Sequence, residues 1–209
     1  MADRMHTTKR QLLEAGLRML LERGYNDLGV QALLKATGTP KGSFYHHFKS
    51  KEDFALQVVD LYMVEVHQGL DACLSENGTP PLQRVRSFFE AIREKYRSDG
   101  YLGCMLGGVG QELAGVSEAF RKKIDGCLTS IGEQVATCLV DAKARGELPE
   151  GADPRQMAML LVNCWEGAAL RSRLQRCADP LDEMLDFYFR VAIRSGVPLA
   201  GVDIDRSVY

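Results

Sequence analysis

Between Thr39 and Lys51 the sequence TPKGSFYHHFKSK carries three lysines, two histidines and one tyrosine, and no acid. Cations and hydrogen-bonding side chains set this densely on one short element are chemistry for a polyanion, because phosphates demand charge and base edges demand donors. A solvated helix of a soluble protein mixes both signs, so the bias asks for a ligand. Lys51 sharpens the point. Ser50-x-x-Asp53 has the spacing of a capping box, which puts Lys51 in the first turn of a helix. A cation there opposes the helix dipole unless an anion such as phosphate docks at the same end.

The elements that position these residues are read from Leu28 to Phe54. Val30, Leu33 and Leu34 form one apolar helical face. Thr37-Gly38 closes that helix, since glycine enters the left-handed region without steric cost. Thr39 is the expected N-cap and Pro40 the first residue of the next helix. Phe44 and Phe48 then point inward and leave Lys41, Ser43, Tyr45, His46 and His47 outside. So few residues between two helices make a helix-turn-helix. A helix-turn-helix that only packs is the alternative. Thr8 to Arg23 reads as a bracing helix, with Thr8 and Gln11 at capping-box spacing and Leu13, Leu17, Leu20 and Leu21 as its buried stripe.

Gly24-Tyr25 followed by KGSFYHHFKSKEDF resembles the DNA-binding domain of the tetracycline-repressor (TetR) family, over about the first sixty residues. The resemblance implies a repressor-type homodimer on double-stranded operator DNA, whose C-terminal helices bind a small-molecule inducer. By position, Gln31, Lys41, Gly42 and Ser43 match the family's base-reading sites, and Tyr45, His46, His47 and Lys51 its phosphate-contacting sites. Thr39, which opens the basic stretch, is placed with the DNA-facing set. Gly29 departs from the pattern, standing where the family puts a Thr or Ser that caps the first helix. Glycine still caps, at a loss of a few tenths of a kcal/mol, but offers no hydroxyl.

Charge is distributed as such a reading requires. The 209-residue chain has a net charge of -2, yet residues 1–51 hold nine Lys/Arg against four Asp/Glu and the remainder 17 against 24. A basic head on an acidic body is the asymmetry of a molecule that meets DNA at one end. The absence of an eighteen-residue apolar run excludes a membrane helix, and MADRMHTTKRQ has no apolar core of a secretory signal. The expected location is the cytoplasm, where the six cysteines, none in a C-x-x-C pair, are free thiols.

No strand-like alternation is present, so the expected fold is all-α with about nine helices. The expected division is a helix-turn-helix DNA-binding domain over residues 1–53 and a ligand-binding and dimerisation domain over 54–209. A helix from Ser50 to Leu74 crosses that boundary as a lever about 37 Å long. Asn77-Gly78-Thr79-Pro80-Pro81 breaks the chain, and Leu82 to Arg97 follows with Val85, Phe88, Phe89 and Ile92 inward. Ser117 to Arg145 and a helix opened by Asp153-Pro154 come next. Leu181 to Ile193 is apolar at nine of thirteen positions, more than one face can bury in its own domain. The last two helices are therefore the dimer candidates, as a four-helix bundle between subunits. The tail after Ser195 has no strong pattern and is expected at the surface.

Residues 100–115, GYLGCMLGGVGQELAG, hold six glycines and fit no phosphate-loop template. They read as a poor helix that allows close backbone approach or local give, or simply as a packing seam. Candidate pocket liners are Phe88, Phe89, Tyr96, Cys104, Met105, Trp165 and Arg173: aromatic and Met walls with a few polar anchors. Plain core is the competing role for most of them. GYLGCMLGGVGQELA with the Trp165 helix is similar to the electrophile-sensing branch of the family, which implies a reactive cysteine at Cys104 and small unsaturated acids or aldehydes as inducers. With Gly103 as N-cap, Cys104 falls in a helix's first turn, where the dipole lowers a thiol pKa. A small buried hydrophobe is the alternative. Reversible binding of an unsaturated carboxylic acid near Arg173 is the other inducer chemistry. The four histidines lack metal-ligand spacing, and no metal or cofactor is expected. An enzyme and a protein-binding scaffold are the remaining classes, and neither would retard a DNA duplex.

Overall fold

The computed structural model describes residues 2–75 and 78–193. The expectations for Asn77 and for the tail after Ser195 lie outside those residues. The described residues form nine α-helices and no strand: α1 (Ala2–Arg23), α2 (Val30–Thr37), α3 (Lys41–His47), α4 (Lys51–Leu74), α5 (Pro81–Ser98), α6 (Met105–Leu113), α7 (Glu118–Ala144), α8 (Pro154–Gln175) and α9 (Asp179–Phe187). α9 runs on into a π-helical turn over Tyr188–Ala192.

Local chemistry sets most of the ends. Gly38 closes α2 with φ 62°, and its N–H, with that of Thr39, returns to the carbonyls of Lys35 and Leu34. Ser50 caps α4, accepting from the Asp53 N–H at 3.0 Å, while Asp53 accepts the Lys49 N–H at 2.8 Å. Ser117 and Asp153 cap α7 and α8 in the same way. Ser50→Ala is expected to lower the unfolding free energy by about 1 kcal/mol, read as a lower urea midpoint at unchanged slope. Gly29 makes no side-chain cap bond at the start of α2, as its lack of a hydroxyl requires.

Three expectations are corrected. α1 begins at Ala2, so Thr8 lies inside the helix and not at its N-cap. No breaker precedes Thr8, and the helix propagates through it. At α3 the cap is Pro40, not Thr39; the Thr39 hydroxyl instead accepts from Thr37 Oγ1 at 3.0 Å. The last helix is not regular to its end. Tyr188 continues the buried face of Leu181 and Leu185 and donates to the Met157 carbonyl at 2.8 Å; the π turn that follows brings Ile193, five residues on, into the core, while Phe187 stays exposed.

One hydrophobic core runs from Leu12 of α1 through Phe54 and Val58 of α4 into α5–α9. α4 is an unbroken helix of 24 residues that packs on α1 at one end and on α5 and α7 at the other. The glycine-rich segment is a close seam at Gly107 and Gly110, whereas a Cβ on Gly100, Gly108 or Gly115 would meet nothing within 4 Å. A Cβ on Gly110 would lie 3.3 Å from Ile124 of α7, and one on Gly107 would lie 2.5 Å from Glu166 Oε2 of α8.

Candidate functional site

α3 is held by a triangle of rings. Phe44, Phe48 and Phe54 are buried, with centroids 5.1, 5.3 and 4.8 Å apart. Their packing turns the opposite face of α3 outward, where Lys41, Gly42, Tyr45 and His46 are exposed, with Ser43 and His47 half-buried. Tyr45 is 54% exposed, unusual for an aromatic side chain without a partner surface. Nothing lies within 4 Å of a Cβ built on Gly42, so no internal packing demands glycine there. Gln31 is exposed on α2 and Thr39 is half-buried in the turn. Burial, then His46 and Lys9, lower the His47 pKa, so a neighbouring anion would be needed to hold it protonated.

Lys51 does not project freely. Its ammonium sits 4.3 Å from the Tyr25 ring centroid and donates to the Asn26 carbonyl at 3.4 Å. Burial lowers its pKa, against the opposing pull of Glu112 and Asp27. The same turn is gripped from the body: Glu112 of α6 accepts the Tyr25 N–H at 2.5 Å. A Cβ on Gly24, whose φ is +79°, would collide with that carboxylate. Ser117 donates to Glu52 at 2.6 Å, and Lys123 of α7 pairs with Asp60 of α4.

The other end of α6 carries Cys104. Between α6 and α8 lies a cavity of about 440 Å3, walled by Cys104, Gly107, Gln111, Glu166 and Arg173 among others. Behind it a space of about 30 Å3 is closed by Tyr62, Phe89, Tyr96, Trp165, Cys104 and Glu166. A third, apolar cavity of about 200 Å3 lies against α4 and α5 and shares Tyr62 and Tyr96 as walls. Trp165 stacks 5.0 Å from Phe89 and 5.9 Å from Tyr96, centroid to centroid. Phe89, Tyr96, Cys104 and Trp165 are thus brought together, and Arg173 shares the outer cavity with Cys104. Met105 is buried core and lines none of the three.

The thiol itself reverses the sequence expectation. Cys104 is the N-cap of α6, with φ −83° and ψ 127°, and so precedes the first turn; Gly103 before it takes φ 78°. Burial and then the negative Glu166 push its pKa up to about 12, only partly offset by the N–H groups of Gly107 and Leu106. At rest it is a protonated thiol. Glu166 is raised as well, by burial. Glu166 and Tyr62 are the residues the sequence least singles out: the first is an acid beside Trp165 on a mostly apolar helix face, the second one member of an apolar stripe. Among the described residues no cluster of three His, Cys, Asp or Glu side chains is arranged to hold a metal, and no helix is long and apolar enough to cross a membrane.

Residues 12–58 match the family of bacterial regulatory proteins, tetR family, and residues 81–188 match the tetracyclin repressor-like C-terminal domain. The second match alone spans more than half the chain. The chain belongs to the tetracycline-repressor family. Within this TetR family it is 37% identical over 171 residues to the transcriptional regulator AcuR of Cereibacter sphaeroides, covering 81% of this chain and 78% of that protein. It is 32% identical over 187 residues to the transcriptional repressor DhaR of Mycobacterium sp. GP1, covering 90% and 93%. A crystal structure of a regulatory protein TetR from Rhodobacter sphaeroides superposes with TM-score 0.83 at 36% identity, covering 87% of this chain and 96% of that one. The reduced form of Escherichia coli NemR superposes with TM-score 0.78 at 26% identity, over 88% and 95%. As in other TetR-family chains, α2 and α3 form the helix-turn-helix, and α4 joins it to the helical body.

Proposed function

We propose that this TetR-family chain is a ligand-responsive transcriptional repressor, a two-fold dimer that holds operator DNA through α3 and releases it when a small electrophile adds to Cys104. The observation that carries the reading is α6. One nine-residue helix has Cys104 at its N-cap and, near its other end, the Glu112 carboxylate on the Tyr25 N–H of the head. A change of shape around Cys104 that shifts α6 must also shift its grip on the turn before α2. Release then follows from unequal affinity of the ligand for the two positions of α6. The boundary at residues 53 and 54, inside α4, makes that helix the second connection between body and head.

The partner surface is a second copy on α8 and α9. Leu160, Cys164, Gly167, Arg171 and Leu174 lie exposed along one side of α8, and Phe187 and Val191 are exposed beyond it. Such a two-fold pair presents α3 and its mate to half-sites one turn, or a small multiple, apart. Footprinting the DNA upstream of the chain's own gene should reveal a protected inverted repeat; soluble dimeric protein that protects none rejects the proposal.

Roles within the DNA surface separate by salt. Lys51→Ala should weaken binding to every sequence and lower the salt slope by about one. Lys41→Ala should cost about 1–3 kcal/mol and relax discrimination among bases. Parallel loss of specific and nonspecific affinity in both variants, measured by gel shift across a salt series, would show that Lys41 does not read bases.

A second inducer chemistry has one observation in its favour. Arg173, in the wall of the cavity, donates to the Glu22 carbonyl of α1 at 3.4 Å. A carboxylic acid that drew the guanidinium inward would break this tie between body and head.

A further inference from the structure

We propose that Glu166 and Tyr62 form an acid–base set with Cys104 that adds the thiol to neutral α,β-unsaturated carbonyl compounds. The proposal rests on the electrophile reading above and supplies the chemistry that reading lacks, since a protonated thiol is a poor nucleophile.

The three groups come from three helices and meet at one point. Glu166 of α8 reaches α6 because Gly107 has no Cβ: a methyl built there would sit 2.5 Å from Glu166 Oε2 and 4.0 Å from the Cys104 Cβ. The Glu166 carboxyl and the thiol wall the same two cavities, and its charge adds to burial in raising the thiol pKa. Tyr62 of α4, 9% exposed, has its hydroxyl 3.9 Å from the sulfur. Cys104 and Glu166 both face the cavity of about 440 Å3, room for a small carbonyl compound, and with Tyr62 they wall the space of about 30 Å3 behind it, into which the carbonyl oxygen would point.

Each group has one task. As the bond from sulfur to the β-carbon forms, the Glu166 carboxylate takes the thiol proton. The π pair of the alkene moves toward the carbonyl oxygen, to which the Tyr62 hydroxyl donates a hydrogen bond. The resulting enolate takes the proton back from Glu166 at the α-carbon. S–H has then added across C=C, and nothing is oxidised or reduced. Burial raises the Glu166 pKa, which strengthens it as a base once ionised. The same negative charge, beside a thiol held near its protonated form, disfavours anionic ligands next to the sulfur and resists adventitious thiolate chemistry.

The test is the rate of Cys104 modification in the full-length protein by methyl vinyl ketone and by iodoacetamide, followed by peptide mass spectrometry at neutral pH. General-base participation predicts that Glu166→Gln slows both reagents at least about tenfold while Glu166→Asp recovers part of the rate. Tyr62→Phe should slow methyl vinyl ketone and spare iodoacetamide, which forms no enolate; a purely structural tyrosine would not separate the two. Unchanged helical circular dichroism and operator binding show that each variant is folded. If Glu166→Gln reacts as fast as the native chain or faster, Glu166 only suppresses the thiolate and the proposal fails, while the electrophile reading stands. No adduct at Cys104 of the native chain with either reagent overturns both.

Discussion

Cys104→Ser is expected to bind operator as tightly as the native chain and to lose release by an alkylating agent. Serine is close to cysteine in size, and Cys104 makes no side-chain cap bond that its loss would break, so the resting arrangement on the Glu112 side should persist. Its hydroxyl does not undergo the addition, and the release rate should fall at least about a hundredfold, to that of untreated protein. The effect is large because turning a switch from nearly all bound to nearly all released takes about 5.5 kcal/mol of differential interaction, which a covalent bond supplies readily. Other cysteines are the competing sites. Cys127 and Cys138 are buried and, unlike Cys104, line none of the cavities around α6, so they are poor candidates. Cys164 is exposed and Cys73 and Cys177 half-buried, so adduct mapping must include them. Release that persists in the serine variant, or modification at Cys164 or Cys177 while Cys104 stays free, would reject the covalent reading and leave the Arg173 acid site in its place.

Aspartate at Phe187 or Leu160 should convert the dimer to monomers. Phe187 is 63% and Leu160 46% exposed, and Leu174 on the same side of α8 is 67% exposed. Three large apolar residues beside an open Gly167, whose Cβ would meet nothing within 4 Å, form a surface that gains by closing on a copy of itself. A two-fold interface places any substituted residue twice in one buried patch, so each aspartate is stripped of water and repelled by its mate. A rise of more than about a hundredfold in the dimer Kd, near 3 kcal/mol, is expected from sedimentation. Operator affinity falls with it, because each monomer then binds one half-site. Val116→Asp is the control: Val116 is 79% exposed but lies between α6 and α7, away from this surface. Should Val116→Asp dissociate the dimer and Phe187→Asp leave it intact, the interface is elsewhere.

Much of the architecture is legible in the sequence. Caps and breakers act within a turn or two of the backbone, so Gly38, Ser50, Ser117 and Asp153 marked helix ends from their own neighbours. The basic bias of Thr39–Lys51 and the inward pair Phe44 and Phe48 are likewise local, and they identified α3 and its outer face. Where a boundary had no local signal it was misplaced: nothing before Thr8 ends a helix, and nothing in the last helix announces its π turn. Thr39 failed as a cap because Thr37 offered its hydroxyl another partner.

Composition and short-range spacing thus determined that the chain is all-helical, where the basic second helix of its helix-turn-helix lies and which cysteine adjoins the glycine-rich helix. Tertiary structure alone decided what that cysteine is. Its environment comes from Glu166 on α8 and Tyr62 on α4, groups remote in the chain that Gly107 and the packing of α6 bring to the sulfur. The same holds for Lys51, drawn onto the Tyr25 ring, and for Glu112, which ties α6 to the head. Helix periodicity is an interaction between neighbours in sequence, whereas the charge state of a thiol depends on burial and on charges across space, which no spacing along one helix encodes.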